Sequence, residues 1–365
     1  MKLKIYSFGG LLFFTFLMPL RASEKRGFDT SEIDTKAIKW RFDGKYTDLK
    51  KMVSDFVLET HRIEVPGYPY TFNPSIVRWN NRLLMSFRVN DLRIYSSKKI
   101  GLVWLDENFN PVGDPYILKI PRDTSINFFV NKRARIRVQD PRLITINDRL
   151  YIIYSDYQIG RMFKAELHFD GEQFFLDKAD CFLHFENEKL NRLEKNWVSF
   201  QYEDDLLFAY KISPHIIFSH IKGTQTCQTY AASSNNIRWR WGEIRGGTPA
   251  ILVDGSYLAF FHSSIEMASV QSEGDRRMHY FMGAYRFFAT PPFKITHVSP
   301  KPIVGEDFYV NRPYRTVKPL ACVFPMGIIQ DDNFIWISYG KQDHESWVVK
   351  LDKRKLLESL KPVGR

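Results

Sequence analysis

Residues 73–88 read NPSIVRWNNRLLMSFR, and they hold two apolar runs on either side of an Asn-rich turn. Such a pattern is typical of a β-hairpin, because Asn tolerates the backbone angles that a tight hairpin turn requires. The pattern returns four times, as DPRLITINDRLYIIYS (140–155), NWVSFQYEDDLLFAYK (196–211), TPAILVDGSYLAFFHS (248–263) and FPMGIIQDDNFIWISYG (324–340). Five hairpins that must bury their faces against one another predict an all-β fold, the five-bladed β-propeller.

The repeats predict one propeller over residues 67–352, followed by a C-terminal tail over 353–365 that contains a short helix. Residues 23–66 are predicted to be a lead-in to the first blade. Within this lead-in, the apolar residues between positions 47 and 61 recur at helical spacing. We therefore expect an amphipathic N-terminal helix packed on the outside or the bottom of the propeller.

The first 22 residues have the features of a secretory signal peptide. Lys2 and Lys4 give a basic start, residues 5–20 are apolar, and Leu20-Arg21-Ala22 ends in a small residue suited to cleavage. An uncleaved membrane anchor formed by residues 5–20 stays open as an alternative. In either case we expect export from the cytosol, to the periplasm, the exterior or the lumen of the secretory pathway.

The 365-residue chain is 44% hydrophobic and carries a net charge of +11. It contains no recognisable nucleic-acid-binding module, so the charge points to an anionic surface or an anionic small substrate. The densest basic stretch, residues 132–137, is expected to protect an exposed strand edge. Cys181, Cys227 and Cys322 lack the neighbours of a metal site and are interpreted mainly as buried apolar residues, with one disulfide among them left open.

The two ends of each hairpin predict where chemistry is located. The start of the first strand and the end of the second lie at the same end of a hairpin, so five heads and tails should meet at one rim of the central channel. The polar residues at those positions are Asn73, Arg88, Asp140, Arg142, Asp156, Lys195, Asn196, Lys211, Thr248, His262 and Asp343. We expect a polar site there, although each residue alone is equally consistent with a solvated loop end.

Asp140 is the candidate general acid of this rim. It opens a hairpin, is followed by Pro141, and lies two residues before Arg142. Burial in the channel would raise the pKa of its carboxyl group and suit proton donation, whereas the charge of Arg142 would lower that pKa. The sequence leaves open whether Asp140 is an acid or a carboxylate that only caps turn amides and pairs with Arg142.

Arg142, Lys195 and His262 come from three blades and, together with Arg88, form a candidate anion site. Arg offers a planar fork for phosphate or carboxylate, Lys adds a point charge, and His can donate to an oxygen. Each residue alone is also consistent with a surface position or a satisfied core position. No metal-ligand motif, nucleophile elbow, phosphate-binding loop or dinucleotide fingerprint is found, so we expect no metal and no organic cofactor.

The heads and tails of the hairpins resemble those of glycoside hydrolase family 130, the inverting β-mannoside phosphorylases and β-mannosidases. The chain departs from the family pattern at Gln139, where the family often has an acidic residue, and at Lys341-Gln342, where it has small residues. The motifs that carry the resemblance are Asn73-Pro74 with Arg88, Asp140-Pro141-Arg142, Lys195-Asn196, Gly246-Gly247-Thr248-Pro249 with His262, Phe324-Pro325-Met326-Gly327, and Tyr339-Gly340 with Asp343.

The resemblance implies a role for each of these positions. Asp140 would be the general acid that helps to expel the leaving sugar, with inorganic phosphate as the co-substrate. Phosphate would be held by Arg142, Lys195 and His262. The residues that grip the mannosyl unit would be Asn73, Arg88, Asn196 and Asp343.

Three functions stay open from the sequence. The first is an enzyme that cleaves β-mannosides in an oligosaccharide or glycan by inverting phosphorolysis or hydrolysis; the expected export favours hydrolysis or glycan assembly, and Glu194 or Glu266 would then supply the base. The second is a β-mannosyltransferase that uses a sugar nucleotide or a sugar phosphate. The third is a sugar-binding propeller without catalysis. The sequence does not predict the oligomeric state.

Overall fold

Most of the described chain consists of β-strands, which pair into five sheets of four, five, five, six and four strands. Five such sheets are the blades of a β-propeller, so the predicted fold is confirmed. No helix within these residues has the length and apolar character needed to cross a membrane. The predicted signal peptide or anchor, the lead-in as far as residue 45 and the basic residues 132–136 lie outside the described residues. The structure, a computed structural model, describes residues 46–90, 98–120, 137–186, 191–310 and 320–364.

The strands are numbered in chain order. The first twelve are β1 (Val57–Ile63), β2 (Thr71–Trp79), β3 (Arg82–Asn90), β4 (Lys98–Leu105), β5 (Pro111–Ile117), β6 (Val138–Ile146), β7 (Arg149–Asp156), β8 (Arg161–Phe169), β9 (Phe174–Leu176), β10 (Asp180–Cys181), β11 (His184–Phe185) and β12 (Val198–Tyr202). The others are β13 (Asp205–Lys211), β14 (His215–His220), β15 (Thr226–Ser233), β16 (Glu243–Gly246), β17 (Ile251–Val253), β18 (Ser256–Met267), β19 (Arg277–Phe288), β20 (Ile295–Val298), β21 (Val323–Gln330), β22 (Phe334–Lys341), β23 (Glu345–Asp352) and β24 (Lys361–Pro362).

Each blade is built around one of the predicted hairpins. Blade one has the order β2-β3-β4-β5, blade two β6-β7-β8-β10 with β9 on β8, and blade three β12-β13-β14-β15-β11. In blade four β16 and β17 both pair with β18, which is followed by β19, β20 and β24. The turns confirm the sequence signal, since both central residues have positive φ in Asn80-Asn81, Asn147-Asp148 and Asp254-Gly255. These angles are those of two-residue type I′ turns.

Strand β1 closes the ring by joining blade five, whose order is β21-β22-β23-β1. It pairs antiparallel with β23, for example at Thr60 with Val349. The outer edge of β23 would otherwise leave a row of backbone donors and acceptors without strand partners. The propeller therefore begins before residue 67, which corrects the predicted boundary of the lead-in.

The predicted helix over residues 47–61 is wrong. A single 3₁₀ turn, Leu49–Met52, is capped by the carboxylate of Asp48, and the chain then enters β1. Its apolar residues are explained by packing rather than by helical periodicity, because Leu49 and Phe56 are buried in the apolar cluster shared by blades four and five. Helical spacing in a short stretch did not distinguish a helix from a turn followed by a strand.

The C-terminal tail belongs to the propeller as well. Helix α1 (Lys353–Ser359) confirms the predicted short helix; its N-cap Asp352 accepts a hydrogen bond from the backbone of Lys355. After the helix, β24 pairs with β20 and adds a last strand to blade four. The tail thus ties blade five to blade four, and the buried side chain of Leu356 packs into their shared core.

Aromatic side chains fill the spaces between blades. Phe200 of blade three lies 4.9 Å from the ring of Tyr257 and 5.4 Å from that of Phe287, both in blade four. All three belong to one buried cluster, and each such buried aromatic ring contributes on the order of 2 kcal/mol. The three cysteines are buried, as the sequence indicated, and no disulfide joins them, which resolves the alternative that the sequence left open.

Candidate active site

Three polar heads share an unusual backbone conformation. Asn73, Asp140 and Asn196 have φ values of 52°, 56° and 63°, in the left-handed region that Asn and Asp tolerate better than other non-glycine residues. At Asn73 and Asp140 the strand register also shifts, which marks a β-bulge at the start of β2 and of β6. Bulges re-aim side chains and are common beside active sites. Here the carboxyl group of Asp140 meets side chains of blade one.

Asp140 has two carboxylate oxygens with different surroundings. Oδ1 accepts a hydrogen bond from Asn73 Nδ2 at 2.8 Å and one from Arg88 Nη1 at 2.8 Å. Arg88 itself lies over the ring of Phe72, 4.5 Å from its centre. Oδ2 makes no hydrogen bond with any described residue. Oδ1 is therefore the anchored oxygen, and Oδ2 is the oxygen able to meet a substrate.

Burial and the neighbouring groups shift the pKa of Asp140 in opposite directions, and the neighbouring groups together have the larger effect. Burial alone would raise the pKa of its carboxyl group, but the charges of Arg88 and Arg142 and the hydrogen bond from Asn73 outweigh burial. The pKa of Asp140 consequently lies below its usual value. Asp140 is a carboxylate paired with Arg88, which differs from the raised pKa expected of a resting general acid.

Arg142 links blades two, three and four through its hydrogen bonds. Its side chain is almost completely buried. Nε donates to the carbonyl oxygen of Gly247, Nη1 to that of Asp140 at 3.3 Å, and Nη2 to Asn196 Oδ1 at 3.3 Å. Burial lowers its pKa to about 10, so Arg142 stays charged at neutral pH. All three partners are uncharged oxygens.

Lys195 is a second cation of the site. Within the described residues it makes no hydrogen bond and no ion pair. Burial lowers its pKa, and the negative charges of Asp140 and Asp343 act in the opposite direction. Asp343 lies in the turn between β22 and β23, so blade five also contributes a charge.

His262 is buried and neutral. Its Nδ1 lies 3.0 Å from the carbonyl oxygen of Gly246, which can only accept, so Nδ1 carries the hydrogen. Burial and the charges of Arg142 and Arg245 lower its pKa to about 3. Nε2 is then an acceptor, which corrects the expectation that His262 donates to an anion: it can instead accept a hydrogen bond from a hydroxyl group.

The chain matches a family model over residues 45–362, which is most of its length; the model is described as β-1,4-mannooligosaccharide phosphorylase. The chain belongs to glycoside hydrolase family 130. This membership confirms the resemblance seen in the hairpin heads and tails. The comparison with curated protein sequences gives no match.

Solved structures agree with the family assignment at the level of the fold. MPT-4, a mannose phosphorylase from Leishmania mexicana in complex with phosphate ion, has a TM-score of 0.56 at 14% identity, over 92% of this chain and 98% of that chain. β-1,2-Mannobiose phosphorylase from Listeria innocua has a TM-score of 0.54 at 14% identity, over 84% and 94%. MPT-1, a GDP-Man-dependent mannosyltransferase from Leishmania mexicana, has a TM-score of 0.51 at 11% identity, over 82% and 90%.

Several residues predicted at the rim of this family 130 protein serve the fold instead. Asp156 accepts the backbone amides of Arg137, Gln158 and Ile159 and so fixes a turn. The hydroxyl of Thr248 accepts the amide of Phe260. Two other residues predicted near the rim have different surroundings: Lys211 Nζ lies 5.0 Å from the ring centre of Tyr210, and Glu266 is exposed on β18.

Glu194, one of the two candidate bases, already accepts hydrogen bonds on both carboxylate oxygens. Its Oε1 accepts the amide of Asn191 at 2.7 Å, and its Oε2 accepts Trp197 Nε1 at 3.3 Å. The side chain is almost completely buried. Glu194 therefore fixes the loop that leads to Lys195 and Asn196, and it is a structural anchor rather than a free base.

Of three residues near His262, Tyr280 and Arg245 were missed in the sequence, and Phe324 was named only as part of a motif. The ring of Phe324 lies 4.3 Å from that of His262, and the ring of Tyr280 lies 6.2 Å from it. Arg245 pairs in register with His262 across β16 and β18. Its position directly before Gly246, in a motif already singled out, was the signal that could have found Arg245.

One compact group of possible metal ligands is found in the described part of the chain. It consists of Glu166, His168 and Asp177 on the outer strands of blade two. Arg149 donates to both carboxylate oxygens of Glu166, which neutralises that ligand. The group is distinct from the residues around Asp140, and the candidate site itself gathers cations rather than metal ligands.

Gly340 fixes the position of Asn73 and is expected to be sensitive to substitution. A Cβ atom at Gly340 would lie 2.0 Å from Asn73 Oδ1 and 2.8 Å from its backbone nitrogen. We expect Gly340→Ala to push Asn73 away from Asp140 and to lower turnover at least about tenfold, since small displacements of aligned groups are costly. The measurement is turnover of a β-mannobiose, with circular dichroism to check folding. Gly364→Ala, at an open position, is the control and should leave turnover unchanged.

Proposed function

We propose that this protein is an inverting phosphorylase of β-mannosides. An oxygen of inorganic phosphate attacks the anomeric carbon of the mannosyl unit from the face opposite the glycosidic bond. That bond breaks, and Asp140 Oδ2 gives its proton to the departing glycosidic oxygen. The products are α-mannose 1-phosphate and the shortened sugar, and Asp140 is left as a carboxylate, the form that its lowered pKa favours.

The observation that carries this proposal is a pair of cations without a carboxylate in contact. Arg142 has only uncharged oxygens as hydrogen-bond partners, and Lys195 has no partner among the described residues. Arg88 and Asp140, by contrast, neutralise each other at 2.8 Å. Cations at least partly removed from water are costly unless an anion joins them. Two positive charges match the dianion of phosphate.

The low pKa of Asp140 also has a place in this proposal. Arg88 and Arg142 hold the carboxyl group ionised when no ligand is bound. Phosphate on Arg142 and Lys195 brings negative charge beside Asp140, which raises its pKa and lets it take up the proton that it later donates. The remaining groups serve recognition: His262 Nε2 accepts from a hydroxyl of phosphate or sugar, and Asn73 and Asp343 bind the mannosyl unit.

Hydrolysis has less support. An inverting hydrolase needs a second carboxylate that activates water, about 6.5–9.5 Å from the acid. Glu194 is committed to Asn191 and Trp197, and Glu266 is exposed beyond His262 on β18. Asp343 is the remaining carboxylate of the rim. Its negative charge raises the pKa of Lys195 and so favours the charged form of that side chain. Phosphate, already an anion, needs no base.

The test is turnover of β-1,2- and β-1,4-linked mannobiose with and without inorganic phosphate, followed by analysis of the products. We expect α-mannose 1-phosphate to form only when phosphate is present. Equal release of free mannose in both conditions would establish hydrolysis and overturn the proposal. Consumption of GDP-mannose with an acceptor sugar, without phosphorolysis, would establish the transferase.

A further inference from the structure

Arg245 faces the same side of blade four as His262. The two residues are directly paired between the antiparallel strands β16 and β18. Side chains of such a pair project from the same face of the sheet, with Cβ atoms about 5 Å apart. Because the side chain of His262 is part of the site, Arg245 is directed to the same side, from a strand that pairs with the same edge of β18 as β17 does.

The charge of Arg245 reaches the site. Burial, Arg142 and then Arg245 lower the pKa of His262. Burial and Arg245 also lower the pKa of Lys195, which Asp140 raises. The side chain of Arg245 is 46% exposed, in contrast to the buried Arg142. Arg245 is therefore a cation near solvent at the outer boundary of the proposed anion site.

Glu243 holds Arg245 through an ion pair. Arg245 Nη2 donates to Glu243 Oε2 at 2.6 Å, and Nε donates to the same oxygen at 3.3 Å. No other hydrogen bond or ion pair of Arg245 is found among the described residues. Both residues are about half exposed, so the pair is weakly held and can exchange for a stronger anion.

We propose that Arg245 is the outer phosphate-binding residue of this site and that Glu243 competes with phosphate for it. The inference rests on the proposed function and adds to it a cation that the hairpin heads do not supply. Arg142 and Lys195 hold the inner side of the phosphate group, and Arg245 leaves Glu243 to hold an outer oxygen. The ligand is a phosphate group, either free or on C1 of mannose.

The two partners are expected to give effects of opposite sign. Arg245→Gln removes charge-assisted hydrogen bonds, so the Kd for phosphate should rise about tenfold. Glu243→Gln releases Arg245 from its competitor, so the Kd should fall roughly two- to fivefold. In the double variant the gain from Glu243→Gln should vanish, and the Kd should equal that of Arg245→Gln. An ion pair with only a structural role would give effects of the same sign.

The experiment is calorimetric titration of the full-length variants with inorganic phosphate and, separately, with mannose 1-phosphate. If Arg245→Gln weakens the binding of both inorganic phosphate and mannose 1-phosphate, the phosphate group of the product occupies the same position as free phosphate. Weakening of only one assigns Arg245 to that source. The matched control is the pair Arg277 and Asp275, which has the same two-residue spacing and a distance of 2.9 Å at the start of β19. Arg277→Gln and Asp275→Asn should leave both Kd values unchanged.

The outcomes separate this inference from the proposed function. Unchanged phosphate Kd in Arg245→Gln, or a weaker phosphate Kd in Glu243→Gln, overturns the role of Arg245 even if phosphorolysis is observed. If both variants change the phosphate Kd as stated but no mannoside undergoes phosphorolysis, the role of Arg245 in phosphate binding is supported and the proposed reaction is overturned. Binding is measured directly, so neither result depends on finding the natural substrate.

Discussion

Asp140→Asn should lower turnover by about 1,000-fold while the propeller stays folded, which lies within the contribution of a positioned general acid. Asparagine keeps an oxygen at the position of Oδ1, so it can still accept the hydrogen bonds that Asn73 and Arg88 now donate to Asp140. Its NH2 group replaces Oδ2, however, and an amide N–H is too weak an acid to transfer its proton to the glycosidic oxygen. The chemical step therefore loses its acid, whereas the binding residues remain.

The measurement is single-turnover kinetics with β-mannobiose and phosphate, together with the thermal unfolding midpoint. Asp156→Asn is the matched control, because Asp156 is a buried carboxylate of the same blade that caps a turn. It is expected to affect stability more than turnover. Turnover near the wild-type value in Asp140→Asn would remove Asp140 from the role of acid. Loss of the thermal transition would instead show that the Arg88 pair is essential for folding.

The pH dependence provides a second view of Asp140. An acid works only when it is protonated, so the rate must fall as the pH rises through its pKa. Arg88 and Arg142 lower that pKa in the free protein, and bound phosphate is expected to raise it. The fall in kcat/KM, which reports the free enzyme, should therefore lie at lower pH than the fall in kcat, which reports the complex. Coincident limbs would contradict the coupling to phosphate.

The repeated hairpins could be predicted because their information is local. Asn80-Asn81 and Asp254-Gly255 tolerate the positive φ of their turns, and the flanking apolar runs alternate as strands do. The same preference for left-handed φ explains the heads, where Asn73 and Asp140 take angles that most side chains avoid. The residues that a turn or a bulge requires were also those that form the candidate site.

The rest depends on contacts between distant parts of the chain. The apolar residues near Leu49 have helical spacing, but the open edge of β23, about 300 residues later, favours strand β1. Glu194 is a carboxylate near the rim in the sequence, and only the loop around Asn191 and Trp197 shows that it is occupied. Arg245 is absent from the hairpin heads because it lies on β16, which precedes the head at Thr248 and pairs with the end of β18.

Arg142→Gln is the other substitution with a large expected effect, and it should impair both binding and stability. Glutamine is shorter, so it cannot serve the carbonyl oxygens of Asp140 and Gly247 and the side chain of Asn196 together. Leaving about two of these buried acceptors unpaired should reduce the free energy of unfolding by roughly 3 kcal/mol. Loss of the buried cation should also weaken phosphate binding by about 100-fold, because a charge-assisted fork is replaced by a neutral amide.

Chemical denaturation and phosphate titration of the same Arg142→Gln sample test the two parts separately. Arg149→Gln is the control, since Arg149 pairs with Glu166 on the surface of the same blade and should change little. Loss of stability with unchanged phosphate affinity would make Arg142 a structural link between blades and would remove the inner cation from the site. Lost turnover would not come from deprotonation of the acid, because the charge of Arg142 lowers the pKa of Asp140 and its removal favours the protonated form. A variant that binds phosphate weakly but keeps the pH limb of kcat would therefore separate the anion site from the acid.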